Sequence, residues 1–207
     1  ISDTLKEDAT FAYSPTKGLE ETRAYIARER NLEKGIQITA DDILFFNGLG
    51  DAISHLYRNL NPKARILGPD PAYPTHSSAE AAHSTHRRPG EGKGKSHITY
   101  HLNPENGWQP DLSDIEDKIK THKDIVGILI VNPDNPTGFV YPKETIRSMV
   151  ALAKKYKLFI ISDEIYSNLA YAGSGMSKLA SVIDGVPGIA MRGISKEFPW
   201  PGARCGW

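Results

Sequence analysis

The 207-residue chain is short of several things, and each shortage narrows what it can be. It has one cysteine, Cys205, which excludes an intrachain disulfide and any cysteine-based zinc site. A lone cysteine fits a reducing compartment, so a cytoplasmic location is the expectation. It has no excess of either charge: 25 Lys+Arg stand against 25 Asp+Glu. That balance removes the broad basic face that nucleic-acid binding needs, and no nucleic-acid partner is expected. No apolar run reaches the roughly 18 residues of a spanning helix, so no membrane partner is expected either. What is present is ordinary for a folded protein: 39% hydrophobic and 24% charged residues, over a length ample for a core. The chain opens at Ile1 and closes at Trp207 with a polar tail at neither end. The expectation is part of a longer protein, and a targeting signal would then lie outside these residues.

Helical and extended patterns alternate along the chain. Gly18 to Asn31 sets Leu19, Thr22, Tyr25 and Ile26 against a charged face, which predicts an amphipathic helix. Further helices are predicted over 50–60, 72–82, 111–120 (capped at Asp111 or Ser113) and 144–156. Strands are predicted over 43–46, 65–67 (stopped by Gly68-Pro69), 97–102, 158–161 and 189–191. Ile125 to Val131, IVGILIV, is apolar throughout and mostly β-branched, as a central strand buried on both faces requires. Arg88 to Ser96, RPGEGKGKS, reads as a solvated surface loop. Such alternation predicts an α/β domain with a mainly parallel sheet.

Four segments fall where such a sheet presents loops to ligands. Asn47-Gly48-Leu49-Gly50-Asp51 joins a strand to a helix. Its glycines permit close backbone approach, and the helix start aims amides at the same spot, which suits a phosphate. The third glycine of a dinucleotide fingerprint is absent. Asn132-Pro133-Asp134-Asn135-Pro136-Thr137-Gly138 follows the IVGILIV strand as a stiff turn. Ser162-Asp163-Glu164-Ile165-Tyr166 puts a carboxylate at a buried strand end, where it needs a partner or serves as a helix cap. Gly193-Ile194-Ser195-Lys196 carries a lysine that is either an ordinary surface side chain or an amine for Schiff-base chemistry.

Taken in order, Tyr-x-x-x-x-Gly, the Gly-rich turn, Asp-Pro-x-Tyr-Pro, Asn-Pro-x-Asn-Pro-Thr-Gly, Asp-x-x-Tyr, Ser-Lys and Pro-Gly-x-Arg resemble the class I/II aminotransferases, fold type I pyridoxal-phosphate enzymes. The likeness runs from Tyr13 to Trp207. It implies a three-layer α/β/α sandwich, with residues 1–207 as a partial cofactor-binding large domain and the small C-terminal domain outside. It implies that Lys196 forms a Schiff base with pyridoxal phosphate and carries the proton, and that Asp163 pairs with the pyridine nitrogen. Tyr166 and Asn135 would bond the ring 3-oxygen, and Tyr73 would stack on the ring. Gly48, Leu49 and Gly50, with Asp51 as a further amide, would hold the phosphate together with Arg204, eight residues after the lysine. Tyr13 would reach the phosphate of a neighbouring subunit, which implies a homodimer. Amino acids and 2-oxo acids would be the substrates.

The chain departs from the family at Gly193, where a Ser or Thr usually donates a hydroxyl to the phosphate. Either that contact is lost, or Ser195 or Arg192 replaces it. Rival readings are another pyridoxal-phosphate reaction (C–S lyase or decarboxylase), a nucleotide-binding module using Asn47 to Asp51, and a piece inactive by itself. The expectation for these 207 residues alone is weak cofactor binding and no transamination. No metal site is expected: His97 and His101 lie in a strand, and His55, His76, His83 and His86 form no ligand-like group. Glu164 is expected at the surface or a helix start, and Cys205 in the core.

Overall fold

The computed structural model describes residues 3, 6, 12–32, 35–85 and 97–207. The loop expected at 88–96, and His86, lie outside the described residues. The helices are α1 (Glu20–Asn31), α2 (Leu49–Asn59), α3 (Thr75–His83), α4 (Leu112–Thr121), α5 (Lys143–Tyr156) and α6 (Ile194–Glu197). The strands are β1 (Phe46–Asn47), β2 (Arg65–Asp70), β3 (Ile98–Asn103), β4 (Gln109–Pro110), β5 (Ile125–Val131), β6 (Phe159–Asp163), β7 (Gly188–Met191) and β8 (Cys205–Gly206). Six strands form one sheet in the order β4-β3-β2-β5-β6-β7, parallel except for the β3–β4 pair. β1 and β8 make a separate antiparallel pair. Among the described residues no helix is long and apolar enough to cross a membrane.

The period-2 alternation of the central strands builds two cores. Ile128 and Ile130 of β5, Ile160 of β6 and Leu67 of β2 face one side, with Ile115 and Ile119 of α4 and Ile146, Met149 and Val150 of α5. Leu129, Val131, Ile161 and Ile66 face the other, with Ile53 and Tyr57 of α2. Each such side chain contributes about 1.5–3 kcal/mol on burial. Helices therefore cover both faces, and the three-layer α/β/α architecture is present. Asp111 caps α4, accepting from the Ser113 and Asp114 amides at 2.9 and 3.1 Å.

Three local expectations are corrected. The strand expected over 43–46 shrinks to Phe46–Asn47, which pairs with β8 outside the six-stranded sheet. β2 does not stop at Gly68-Pro69 but runs to Asp70. Its bonds to β5 end at Leu67, while its register with β3 continues through Pro69. The missing proline N–H thus falls where β2 has one neighbour only. Helix α1 leaves Leu19 and Tyr25 outward and buries Arg23 and Ala27 instead. Arg23 donates to the carbonyls of Ala40 and Gly18, and Arg30 reaches Glu164, so α1 docks largely through its cations.

Candidate functional site

Because β2, β5, β6 and β7 run parallel, the loops leaving their C-terminal ends share one edge. Val131, Asp163 and Met191 lie side by side in register there. The Asn132 amide donates to Asp163 O and the Glu164 amide to Met191 O, so the three loops start out bonded to one another.

Asp163 is the buried acid of this edge, 7% exposed. Its Oδ1 accepts from the Ile165 amide at 3.1 Å, and its Oδ2 lies 3.3 Å from His76 Nε2. Asp163 thus has the partner a buried strand-end carboxylate needs, but it caps no helix: its Oδ1 bonds within the Asp163–Ile165 turn, and the short helix at Ser167–Leu169 starts after Tyr166 without a side-chain cap. His76, on α3 and 3% exposed, is a site residue that sequence reasoning missed. The signal was the need of Asp163 for a partner; nothing in the sequence said which of seven histidines would meet it.

Asn135 Nδ2 donates to the Tyr166 hydroxyl at 3.1 Å, and the Tyr73 amide donates to Asn135 O at 2.8 Å. These bonds join three predicted residues from three loops. The Tyr73 side chain is 61% exposed at this edge. The Asn135 loop is itself held from within. Asn132 donates to Ser177 O and accepts from the Tyr141 amide, and Asp134 accepts from Thr137 N and Oγ1. Burial raises the Asp134 carboxyl above its ordinary value, against the hydrogen bonds from Thr137 and Asn135 that lower it. Lys196, on α6, is exposed, and its Nζ stands 5.8 Å from the centre of the Tyr166 ring. Ser195 beside it is half-buried.

A second group forms at the start of α2. Gly48 has φ 84° and ψ 164°, a conformation open in practice only to glycine. A Cβ there would lie 2.1 Å from Arg204 Nη2. Arg204 donates to Asn47 O at 3.2 Å and to Pro201 O at 3.1 Å. The Leu49 and Gly50 amides have no partner among the described residues and lie at the positive end of the helix. The Asp51 amide, expected to join them, donates to Gly48 O, and the Asp51 carboxylate accepts from the Asn47 amide at 3.0 Å. β8 packs tightly here: a Cβ on Gly206 would fall 2.6 Å from Leu49 N.

The departure at Gly193 has a steric reason. Gly193 bridges to Gly206, and a Cβ on it would meet the Cys205 carbonyl oxygen at 2.9 Å. Arg192, the other candidate donor, is buried with its guanidinium against Glu197. Tyr13 is fully exposed, and no hydrogen bond or ring contact among the described residues joins it to the site.

Glu164, expected near solvent, is 1% exposed. Arg30 faces it at 3.4 Å, and the Leu179 amide and Ser162 hydroxyl donate to it. Burial still outweighs these partners and raises its carboxyl. Cys205 is half-buried, in β8. His97 pairs with the buried Glu80. Among the described residues no group of three or more His, Cys, Asp and Glu is close enough to hold a metal.

The family model described as aminotransferase class I and II matches residues 2–207. The chain is 52% identical, over its whole length, to an uncharacterized aminotransferase, MJ1479, of Methanocaldococcus jannaschii, and covers 46% of that protein. It is 30% identical over 94% of its length to the alanine aminotransferase of Mycobacterium tuberculosis, covering 43% of it. The solved alanine aminotransferase from Pyrococcus furiosus superposes with a TM-score of 0.86 at 32% identity, over 99% of this chain and 49% of that one. The chain spans about half the length of the curated relatives it matches.

Proposed function

The chain belongs to the aminotransferase class I and II family, and from that premise we propose that it forms the cofactor-binding part of a pyridoxal-phosphate-dependent aminotransferase. The reaction is transfer of an amino group from an amino acid to a 2-oxo acid. One observation carries the reading: the loops at one sheet edge carry a buried acid (Asp163), a bonded Asn–Tyr pair (Asn135–Tyr166) and a lysine amine beside that tyrosine (Lys196).

Two features support the fit of this cofactor. The bare Gly48 backbone lets the Arg204 guanidinium pack against it, and Arg204 with the Leu49 and Gly50 amides offers positive charge and donors to a phosphate. Asp163 is a buried carboxyl group held by one amide and one imidazole, at the edge where a ring nitrogen could bond it. Pyridoxal phosphate, when bound, supplies a sink for electrons released at the substrate Cα.

The chain's own residues do the rest. Asp163 holds a proton on the ring nitrogen. Tyr166 accepts from Asn135 Nδ2, so its own hydroxyl hydrogen is free to point at the ring 3-oxygen. Tyr73 offers its exposed ring as a stacking face. Ser195 offers a hydroxyl to the phosphate in place of the one missing at 193. Lys196 Nζ takes the proton from the substrate Cα and returns it. The family likeness supports a homodimer in which Tyr13, fully exposed in this chain, reaches the partner's phosphate.

The test uses the whole protein with pyridoxal phosphate. Borohydride should fix the cofactor covalently on the peptide containing Lys196, and Lys196→Ala should abolish both that label and turnover. An amino donor alone should yield about one equivalent of 2-oxo acid per site. Labelling at another lysine, or release of sulfide or carbon dioxide instead of 2-oxo acid, overturns the reading.

A further inference from the structure

Behind Asp163 lies a buried polar chain with no counterpart in the sequence motifs. His76 Nε2 faces Asp163 Oδ2 at 3.3 Å, and its other nitrogen, Nδ1, faces the Tyr57 hydroxyl at 3.5 Å. Tyr57 comes from α2, His76 from α3 and Asp163 from the end of β6, and they are 4%, 3% and 7% exposed. The Tyr57 and His76 rings meet edge-on with centroids 5.9 Å apart, so neither swings freely. We propose that Tyr57 is a positioning residue for Asp163: by donating its hydroxyl hydrogen to His76 Nδ1, it fixes the tautomer in which His76 donates Nε2–H to the carboxylate.

The argument is one of donor and acceptor balance. An ionised carboxylate only accepts, so Nε2 must carry the hydrogen that binds Asp163. A neutral imidazole then has a bare lone pair at Nδ1, which buried needs a donor. The Tyr57 hydroxyl stands there. It keeps its hydrogen because burial, and then the charge of Glu80, push its pKa well above the ordinary tyrosine value. Glu80 lies one turn after His76 on α3, itself buried against His97, and its negative charge disfavours a tyrosinate beside it. Without the hydroxyl, the buried Nδ1 lone pair has no donor, and His76 takes a second proton there while Nε2–H stays on Asp163. That added charge alters the acid that faces the cofactor. The consequence for the cofactor rests on the reading of Asp163 above; the tautomer does not.

The test is nitrogen-15 NMR of the histidine rings in the whole protein without cofactor, with His76 assigned through His76→Gln. The wild type should show His76 neutral, with the hydrogen on Nε2. Tyr57→Phe keeps the ring and removes the donor; it should yield a doubly protonated or mixed ring at neutral pH. In the loaded protein, Tyr57→Phe should move the pH midpoint of the cofactor absorbance by about half a unit or more. That shift should vanish in a His76→Gln background, where the amide donates whatever stands behind it. A wild-type His76 protonated on Nδ1 or on both nitrogens overturns the proposal, even if the Phe variant does not fold. So does a Tyr57→Phe variant whose His76 ring stays protonated as in the wild type. Failure of the protein to bind pyridoxal phosphate would instead overturn the cofactor reading and leave the tautomer measurement standing.

Discussion

Gly48 and Gly50 lie in one strand-to-helix turn, and the structure gives them opposite fates on substitution by alanine. At Gly48 an alanine must hold φ 84° and ψ 164°, at a cost of about 1–3 kcal/mol. Its Cβ would also sit 2.1 Å from Arg204 Nη2 and 2.7 Å from Cζ, so the guanidinium must leave. That breaks its bond to Asn47 O, worth about 1 kcal/mol at this exposed position. Gly48→Ala should therefore lose about 2–4 kcal/mol. At Gly50 no atom lies within 4 Å of a Cβ, and the residue is in the first turn of α2. There alanine should be neutral or gain up to about 1 kcal/mol. Melting of the cofactor-free protein checks the pair: Gly48→Ala should melt about 5–15 °C below the wild type, and Gly50→Ala at or above it. Cofactor titration followed by fluorescence should show affinity at least about tenfold weaker in Gly48→Ala, because Arg204 is displaced. If the two variants melt together and bind alike, the account of Arg204 packed on a bare Gly48 is wrong.

Gly193→Ser restores the residue usual in the family but should not improve phosphate binding. The added Cβ meets the Cys205 carbonyl at 2.9 Å, and a loss of about 1–3 kcal/mol in urea unfolding is expected; tighter cofactor binding in this variant would refute the steric explanation. Glu164 has its carboxyl raised above 4.5 by burial, so the folded state binds the proton more tightly than the unfolded. Its contribution is complete below about pH 4.5 and is lost as pH rises through the folded value. Glu164→Gln should flatten that decline in unfolding free energy measured between pH 4.5 and neutrality; an unchanged slope would mean another group is responsible.

The sheet and its helices were legible because their signals are local. IVGILIV can only be a strand buried on both faces, and its alternate residues do feed the two cores. The order of motifs identified the family for a similar reason: each is a short run whose turn chemistry depends on its own glycines, prolines and asparagines. β2 was read as too short because a proline was taken as a stop, and whether a missing N–H matters depends on which neighbour strand is still bonded there. The face of α1 was misread because Arg23 and Arg30 find their acceptors some distance away in sequence, at Ala40 and Glu164.

By itself, then, the sequence determined the fold class, the loops that gather at one sheet edge and the residue types in them, since backbone periodicity and turn geometry are encoded over a few neighbouring residues. Only the tertiary structure decided which of seven histidines would partner Asp163, that Glu164 would be buried, and why glycine occupies 193. Those outcomes depend on contacts between segments tens of residues apart, where burial sets the cost of an unpaired group and a few tenths of an ångström decide whether a side chain fits.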